Sequence, residues 1–461
     1  MSPERKAFCA SVRGILKKPH RIVMVALVAL VPFSLVIVVS LAFAQAATEA
    51  PTGFDNTTNG FDTQADFDND KVEFDQVELI TDGLGPVYNA QSCRECHQNP
   101  VSGAISQIKE FRAGHLDGSG NFVGATVTLH DRNGTPIVIA GRSLINQRAI
   151  CPSVDASQVN SATGPGGFNF PNDNAEERIT TAETIRTTRT SLNLLGDGFV
   201  EAITNGTLLN NRTVQCNTAP GDICGLAINV PVLEAPGHTR VGRFGWKDQM
   251  PSLLSFSSDA YLNEMGITNQ FNPTEVTTLC DTVPDPEDKA LSSPPFPAGF
   301  HDIDSFARFM RSLKAPPRDA TLVNDPDVQA GQGFFNSIGC ARCHTPTFQT
   351  APPGTIINGG ALTVSAALGN KIIHPFGDFL LHDVGTGDNI VQNGPPDSGH
   401  RMRTPPLWGV RMRNELMHDG LSTTFMDAIL RHGGAATNVI NRFRNLSPGD
   451  KAEVIKFLTS L

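Results

Sequence analysis

The chain contains the same five-residue pattern, C-x-x-C-H, at residues 93–97 (CRECH) and 340–344 (CARCH). Thiols three residues apart lie on one side of a helical turn, where each can form a thioether with a vinyl group of one haem, and the following His points its imidazole at the iron. The pattern therefore predicts two covalently attached c-type haems. The predicted attachment residues and axial ligands are Cys93, Cys96 and His97 for the first haem and Cys340, Cys343 and His344 for the second.

Zinc binding and dithiol redox chemistry are the other uses of such cysteine pairs. Zinc ribbons join two C-x-x-C units across about 15–20 residues, whereas these two units lie 247 residues apart. A redox dithiol has no need of a trailing His, yet both copies carry one. The spacing and the repetition therefore favour haem.

The ligand on the far side of each haem separates electron transfer from catalysis, because an iron with two strong protein ligands leaves no position for an oxidant. His432 ends a predicted helix over residues 422–432 and shares a face with Phe425, Ala428 and Ile429. A polar ring on an apolar stripe needs a partner. We therefore expect His432 to ligate the second haem.

The far side of the first haem is less determined. His115 is the nearest candidate, 18 residues after His97, but Gly114 and Gly118 flank it and predict an exposed turn. Ligation by His115 would close this haem, and the protein would then be an electron carrier.

Residues 1–46 have the pattern of a secretory signal peptide. Six Lys or Arg residues precede an apolar run from Ile22 to about Leu41, and small residues follow at Ala42, Ala44 and Ala46. Cleavage after Ala44 or Ala46 and retention as an inner-membrane anchor both remain open, because about 20 apolar residues can span a bilayer. Either interpretation places the remaining chain in the periplasm or outside the cell.

That compartment permits disulfides. Four cysteines beyond the leader lie outside the two motifs, and an even number predicts two disulfides with three pairings open. These cysteines are Cys151, Cys216, Cys224 and Cys280.

The remaining chain divides into four predicted parts. Glycine (42) and proline (32) are abundant, which favours a loop-rich chain. The fold is predicted to be mainly α with loop-rich regions and a few short strands, including residues 125–129 and 136–140. Asp325-Pro326 and Ser447-Pro448 predict helix starts in a compact final domain. The predicted parts are an extended arm over 47–75, an N-terminal haem domain over 76–313, a proline-rich linker over 314–324 and a C-terminal cytochrome c domain over 325–461.

The charge excludes some classes of partner. The formal net charge is −10, and because the first 44 residues hold six Lys or Arg and one Glu, the remainder sums to −15. Such a chain is a poor binder of nucleic acid and suits cationic partners.

The chain resembles the di-haem cytochrome c peroxidase superfamily, and within it the di-haem oxidoreductase branch of peroxidases and "thiol oxidoreductases", with similarity to rubber-oxygenase-type proteins. The resemblance covers about residues 75–461. It implies two cytochrome c-like domains, each with one covalent haem. The segments that carry it are residues 83–89, 195–203, 242–247, 381–383, 403–409 and 418–420, together with the two haem motifs.

The resemblance implies several site residues. In the superfamily the far ligand of the second haem lies 14 residues after the His of the His-x-Gly turn, and counting from His418 reaches His432. A His in this place implies a bis-His haem of lower potential, because thioether ligation raises the potential. Glu201 matches the acid that assists O–O cleavage at the first haem, and a raised pKa is expected for it. Trp246 is the expected bridge between the haems, with Trp408 second.

Partners and a further ion follow from the same resemblance. A calcium ion between the haems is expected to use the carbonyl oxygens of Thr404 and Pro406, since Ca²⁺ takes oxygen ligands. A cytochrome c or cupredoxin would serve as electron donor, and a homodimer is implied.

The leading hypothesis is an exported oxidoreductase that reduces hydrogen peroxide at the first haem with electrons delivered through the second. The first alternative is dioxygen activation on an apolar polymer or a protein. The second is a pure electron carrier.

Overall fold

The structure is a computed structural model that describes residues 46–130, 136–150, 177–218, 223–291 and 296–461. Residues 1–45 of the predicted leader and Cys151 lie outside these residues. Residues 46–461 form one compact unit. The predicted domain boundaries stay predictions. No helix among the described residues is long and apolar enough to cross a membrane.

Ten helices lie within the described residues. They are α1 (Gln64–Asp75), α2 (Cys93–Cys96), α3 (Asp197–Glu201), α4 (Asn205–Thr218), α5 (Leu253–Met265), α6 (Asp302–Ser312), α7 (Pro326–Ile338), α8 (Phe425–Leu430), α9 (Thr437–Arg444) and α10 (Pro448–Thr459).

The described strands are more numerous and mostly short. They are β1 (Thr48–Glu49), β2 (Val87–Tyr88), β3 (Lys109–Leu116), β4 (Phe122–His130), β5 (Pro136–Arg142), β6 (Leu144–Ile145), β7 (Arg148–Ala149), β8 (Arg178–Ile179), β9 (Ile185–Thr190), β10 (Asn229–Pro231), β11 (Thr239–Val241), β12 (Phe348–Gln349), β13 (Ile356–Ile357), β14 (Leu362–Thr363), β15 (Lys371–Ile373), β16 (Leu381–His382) and β17 (Met402–Arg403).

The prediction of a mainly α fold is wrong. Helices hold 31% and strands 18% of the described residues. Strands β3, β4, β5, β6, β8 and β9 form a six-stranded antiparallel sheet. The strands expected at 125–129 and 136–140 belong to this sheet as parts of β4 and β5. One face of β3 presents Phe111 and Ala113 to an apolar cluster, while Glu110 and Arg112 on the other face border a cavity. Most of the described strands have only two or three residues, which is too short for an alternating pattern to identify them.

The arm expected over residues 47–75 is not extended throughout, because its last part forms α1. Thr63 caps this helix through a hydrogen bond from the Asp66 N–H. Phe67 and Phe74, two turns apart, pack against Phe309 of α6 at ring-centroid distances of 5.2 and 4.7 Å. Burying these rings offsets the weak helical pattern of the segment.

The C-terminal helices begin where their caps predict. Asp325 and Ser447 accept hydrogen bonds from the first turns of α7 and α10, and proline follows each cap. The helix expected over residues 422–432 is shorter, since α8 is capped by Thr424 and ends at Leu430. His432 lies just beyond its end, and α9 follows without having been predicted.

Close contact between α7 and α10 depends on a glycine. A Cβ at Gly331 would lie 2.0 Å from the carbonyl oxygen of Glu453, whereas a Cβ at Gly333, on the same helix, would meet nothing within 4 Å. We expect Gly331→Ala to lower the free energy of unfolding by about 1–3 kcal/mol through overpacking. Gly333→Ala is the matched control and should raise it by about 0.5–1 kcal/mol. Urea unfolding of both variants checks this, and equal effects would contradict it.

Candidate haem sites

Two imidazoles face each other in the C-terminal site. The ring centroids of His344 and His432 are 6.5 Å apart at an interplanar angle of 64°. Nδ1 of His344 lies 3.1 Å from the Phe376 carbonyl oxygen, and Nδ1 of His432 lies 2.8 Å from that of Ala428. A carbonyl only accepts, so each Nδ1 carries the proton and donates. This tautomer leaves both Nε2 atoms free to bind a metal.

The separation of these rings fits one metal ion between them. Two imidazoles bound through Nε2 at about 2 Å place their centroids about 6 Å apart. Burial lowers the pKa of His344 to about 4 and also lowers the pKa of His432. Both rings are therefore neutral near pH 7, which is the form that ligates metals.

The cavity around the two rings is apolar. Cys340, Cys343, His344 and His432 all border it. A planar, largely apolar macrocycle suits such walls, since burying its surface is favourable. The apolar side chains that line it include Phe335, Ala428, Val439, Ile440, Phe443 and Leu458.

The N-terminal motif has the same local geometry. Ser92 caps α2 by accepting a hydrogen bond from the Glu95 N–H. Nδ1 of His97 lies 3.2 Å from the Ala104 carbonyl oxygen, and the ring also has a backbone hydrogen bond with Leu192. Burial lowers the pKa of His97 to about 4. The motif therefore presents a neutral imidazole next to the thiols.

The cavity beside this motif differs in its walls. It holds about 500 Å³, and Cys96 and His97 border it. Among the described residues that line it, His97 is the only histidine and Met250 the only methionine. The charged side chains along its walls are Lys109, Glu110, Arg112, Arg142, Arg189, Asp259 and Glu264.

The sequence match that decides the family covers the second of these sites. Residues 169–461, more than half of the chain, match the family described as "Di-haem oxidoreductase, putative peroxidase". The chain belongs to this di-haem oxidoreductase family. The protein is therefore an oxidoreductase whose family cofactor is haem.

Two solved structures resemble parts of this oxidoreductase. One is hydrazine synthase of Kuenenia stuttgartiensis, with 20% identity over 35% of this chain and 55% of that one, at a TM-score of 0.22. The other is a MauG-like protein associated with microbial copper homeostasis, with 17% identity over 35% and 52%, at a TM-score of 0.23. The oxidoreductase thus spans about half the length of each. No curated protein matches it.

Glu201 lies apart from both cavities of the oxidoreductase and is fully buried. Its carboxylate accepts from Arg311 Nε at 2.7 Å, from the Leu253 N–H at 3.0 Å and from Asn358 Nδ2 at 2.9 Å. The raised pKa expected for it is wrong. Burial alone would raise the pKa, but Arg311, the Leu253 N–H and Arg240 together outweigh burial and lower the pKa of Glu201 to about 2. An acid this strong holds no proton to give near pH 7.

The two tryptophans occupy different places. Trp246 borders both cavities, whereas Trp408 borders only the C-terminal one. The Trp246 Nε1–H donates to the Thr190 carbonyl oxygen at 2.8 Å, and its ring meets that of His418 edge to face at 6.1 Å. This ring is therefore fixed between the two sites.

The other predicted site residues divide between the cavities and the surface. Thr404 and Pro406 border the C-terminal cavity, and their binding of calcium stays a prediction. His115 lies on β3 rather than in a turn, pairs with Glu183 at 2.8 Å and borders neither cavity.

A disulfide joins Cys216 to Cys224, and Cys280 is disulfide-bonded as well. The cysteines of the two C-x-x-C-H motifs are the free ones among the described residues. The structure thus separates the thiols available for haem from the remaining ones.

Sequence reasoning missed the charged wall of the N-terminal cavity. Glu110 and Arg112 come from β3, Arg189 from β9, and Asp259 and Glu264 from α5. Strand β9 pairs with β3 so that Arg189 lies opposite Glu110. A local signal existed, since Glu110 and Arg112 alternate with Phe111 and Ala113 along the strand.

Proposed function

We propose that this oxidoreductase reduces hydrogen peroxide in its N-terminal cavity with electrons that enter through its C-terminal site. One observation carries the proposal, namely that the two sites differ on their far sides. His344 faces a second imidazole in an apolar cavity. His97 borders a polar cavity with no second histidine among its described lining residues. Two ligands suit electron transfer, and a free side suits an oxidant.

Covalently bound haem would supply the redox chemistry in both cavities, held through Cys93 and Cys96 in one and through Cys340 and Cys343 in the other. The residues of the chain have separate tasks. His344 and His432 would ligate from two sides, and the apolar walls around them exclude water. The charged wall of the N-terminal cavity supports proton transfer and binding of a small polar oxidant.

Trp246 is the residue that we propose as the link between the two sites. It borders both cavities, and its hydrogen bond to Thr190 fixes the ring. A small cationic cytochrome c or cupredoxin is proposed as donor, because the chain beyond residue 44 is strongly acidic.

Export from the cytoplasm is part of the proposal. The leader pattern and the Cys216–Cys224 disulfide support it, because disulfides persist in oxidising compartments. The calcium ion at Thr404 and Pro406 belongs to the proposal on the resemblance alone.

The character of the N-terminal cavity favours peroxide over an apolar polymer. Four cationic and three acidic side chains border it, and an apolar chain entering it would strip water from these groups at a cost. Dioxygen chemistry on rubber-like substrates therefore enters only as an outcome of the test.

The test begins with the full-length protein and its haem content. Pyridine haemochrome analysis should give two haems, and C93S/C96S and C340S/C343S should each lose one. The resting ferric protein should then show one low-spin and one high-spin signal by electron paramagnetic resonance. Hydrogen peroxide should abolish the high-spin signal and oxidise a reduced cytochrome c.

Three results would overturn the proposal. Zinc in place of iron would remove its basis. Two low-spin signals that do not change on addition of peroxide would indicate an electron carrier. Met250 would then be the residue to examine as the second ligand in the N-terminal cavity. Cleavage products from polyisoprene under dioxygen, without peroxide turnover, would indicate an oxygenase.

A further inference from the structure

Two acidic side chains from different elements border the N-terminal cavity. Glu110 of β3 and Glu264 of α5 both line it, and burial together with the charge of Glu110 raises the pKa of Glu264. When two carboxyl groups share one buried site, like-charge repulsion disfavours ionisation of both, so one of them keeps its proton. The pair therefore stores a proton in the cavity that His97 borders.

The neighbouring groups decide which of the two carries the proton. Arg112 donates two hydrogen bonds to the Glu110 carboxylate, from Nε at 2.6 Å and from Nη2 at 2.9 Å. Arg189 lies 3.8 Å from the same carboxylate. Glu264 instead accepts from the neutral amide Nδ2 of Asn89 at 2.9 Å. A paired guanidinium favours the ionised form. Glu110 is therefore the carboxylate and Glu264 the acid.

Other charged groups around the pair do not reverse this assignment. Arg142 is bound to Glu177 and to Asn146, and Arg189 to Asp388 at 2.6 Å. Asp259, whose pKa burial raises to about 6, lies on the same helix as Glu264 and interacts electrostatically with Arg112 and Glu110. Burial and the Glu110 charge raise the pKa of Glu264 to about 8. The proton is thus present at pH 7 and lost as the pH rises through about 8.

We propose that Glu264 is the acid of the N-terminal cavity and donates its proton to the oxygen that leaves when peroxide is reduced; this inference rests on the proposed function. Reduction of hydrogen peroxide to two waters breaks the O–O bond and consumes two electrons and two protons. The external donor protein supplies both electrons. Glu264 supplies one proton to the departing oxygen, and solvent supplies the second and reprotonates Glu264. Glu110 is the positioning residue that keeps this proton on its neighbour.

The variant that removes the proton and keeps the shape is Glu264→Gln. Its second-order rate with peroxide should fall by about 10²-fold or more, as for loss of a general acid. The wild-type rate should decline above about pH 8, and this decline should be absent in E264Q. Glu183→Gln is the matched control, since Glu183 is a buried acid of similar size that borders neither cavity. Its rate and pH profile should equal those of the wild type.

A second variant and a second measurement test the proposal even if E264Q does not fold. Glu110→Gln removes the like charge beside Glu264 and should move the decline to lower pH. Infrared difference spectra between about pH 6 and about pH 10 should show the C=O band of a protonated carboxyl in the wild type and none in E264Q. This band needs no turnover.

The outcomes separate the two proposals. An infrared band that depends on Glu264 in a protein without peroxide turnover would sink the proposed function and leave the proton-storing pair intact. Peroxide turnover with an unchanged rate and pH profile in E264Q would overturn the role of Glu264 and leave the proposed function standing.

Discussion

Replacing His432 with alanine should convert the C-terminal haem from low-spin to high-spin and reduce steady-state peroxide turnover by about 100-fold or more. His432 faces His344 at 6.5 Å between ring centroids, and its Nδ1–H is held by the Ala428 carbonyl. Loss of a partner that only orients a ligand already costs about 10–100-fold, so loss of the ligand itself should cost at least as much. Electron paramagnetic resonance and rapid-mixing kinetics check both effects.

His432→Met separates ligation from packing. A thioether also closes the iron but raises its potential, so this variant should stay low-spin with a higher midpoint potential. His374→Ala is the control, because His374 is about half exposed, pairs with Glu49 at 3.1 Å and borders neither cavity. A wild-type low-spin spectrum in H432A would assign the ligand to another residue.

The starts of α7 and α10 were predictable because their signals are local. Asp325-Pro326 and Ser447-Pro448 are caps that act within one turn, and α7 and α10 begin where they predict. The stripe of Phe425, Ala428 and Ile429 pointed His432 towards the cavity, although α8 itself ends two residues earlier. Short-range capping hydrogen bonds set these helix starts, so the sequence alone predicts them.

Helix α1 was missed because what stabilises it lies elsewhere in the chain. Asp70 is fully buried on its inner face and binds Arg308 of α6 at 2.5 and 2.7 Å. A charged residue in a stripe between Phe67 and Phe74 conceals the helical period. Its partner is 238 residues away in sequence, so no local pattern identifies it.

The charged cavity wall was missed for a related reason. Glu110, Arg189 and Glu264 come from two strands and a helix that only the tertiary fold brings together. Resemblance instead directed attention to Glu201, which lies in a matching segment but is held by Arg311. A segment can therefore match a family in sequence although its acidic side chain has a structural role in the core.

Removing one partner of the buried ion pair between Glu201 and Arg311 should strongly destabilise the fold. Nε and Nη2 of Arg311 donate to the fully buried carboxylate at 2.7 and 3.0 Å. Arg311→Met would leave a buried carboxylate without its charge partner, which typically costs about 3–5 kcal/mol. Urea unfolding of R311M should show this loss. In contrast, Lys314→Met, which breaks an exposed pair with Asp55, should cost less than about 1 kcal/mol.

The pH dependence of this stability has a definite sign. The folded pKa of Glu201, about 2, lies below its ordinary value of 4.5. The pair therefore contributes fully above about pH 4.5, and its contribution is lost as the pH falls towards 2. In R311M the folded pKa should rise instead, so that acidification to about pH 5 restores part of the lost stability. A stability loss in R311M that acid does not relieve would contradict this account.

Glu201→Gln completes the comparison and decides between a structural and a catalytic role. It leaves Arg311 buried without its counter-charge, so it should also destabilise by about 3–5 kcal/mol. The double variant E201Q/R311M should lose less than the sum of the single variants, because neither charge is then left unpaired. Peroxide turnover of folded E201Q should retain the wild-type pH profile. Loss of the decline near pH 8 in E201Q, with little change in stability, would return the proton-donating role to Glu201 and remove it from Glu264.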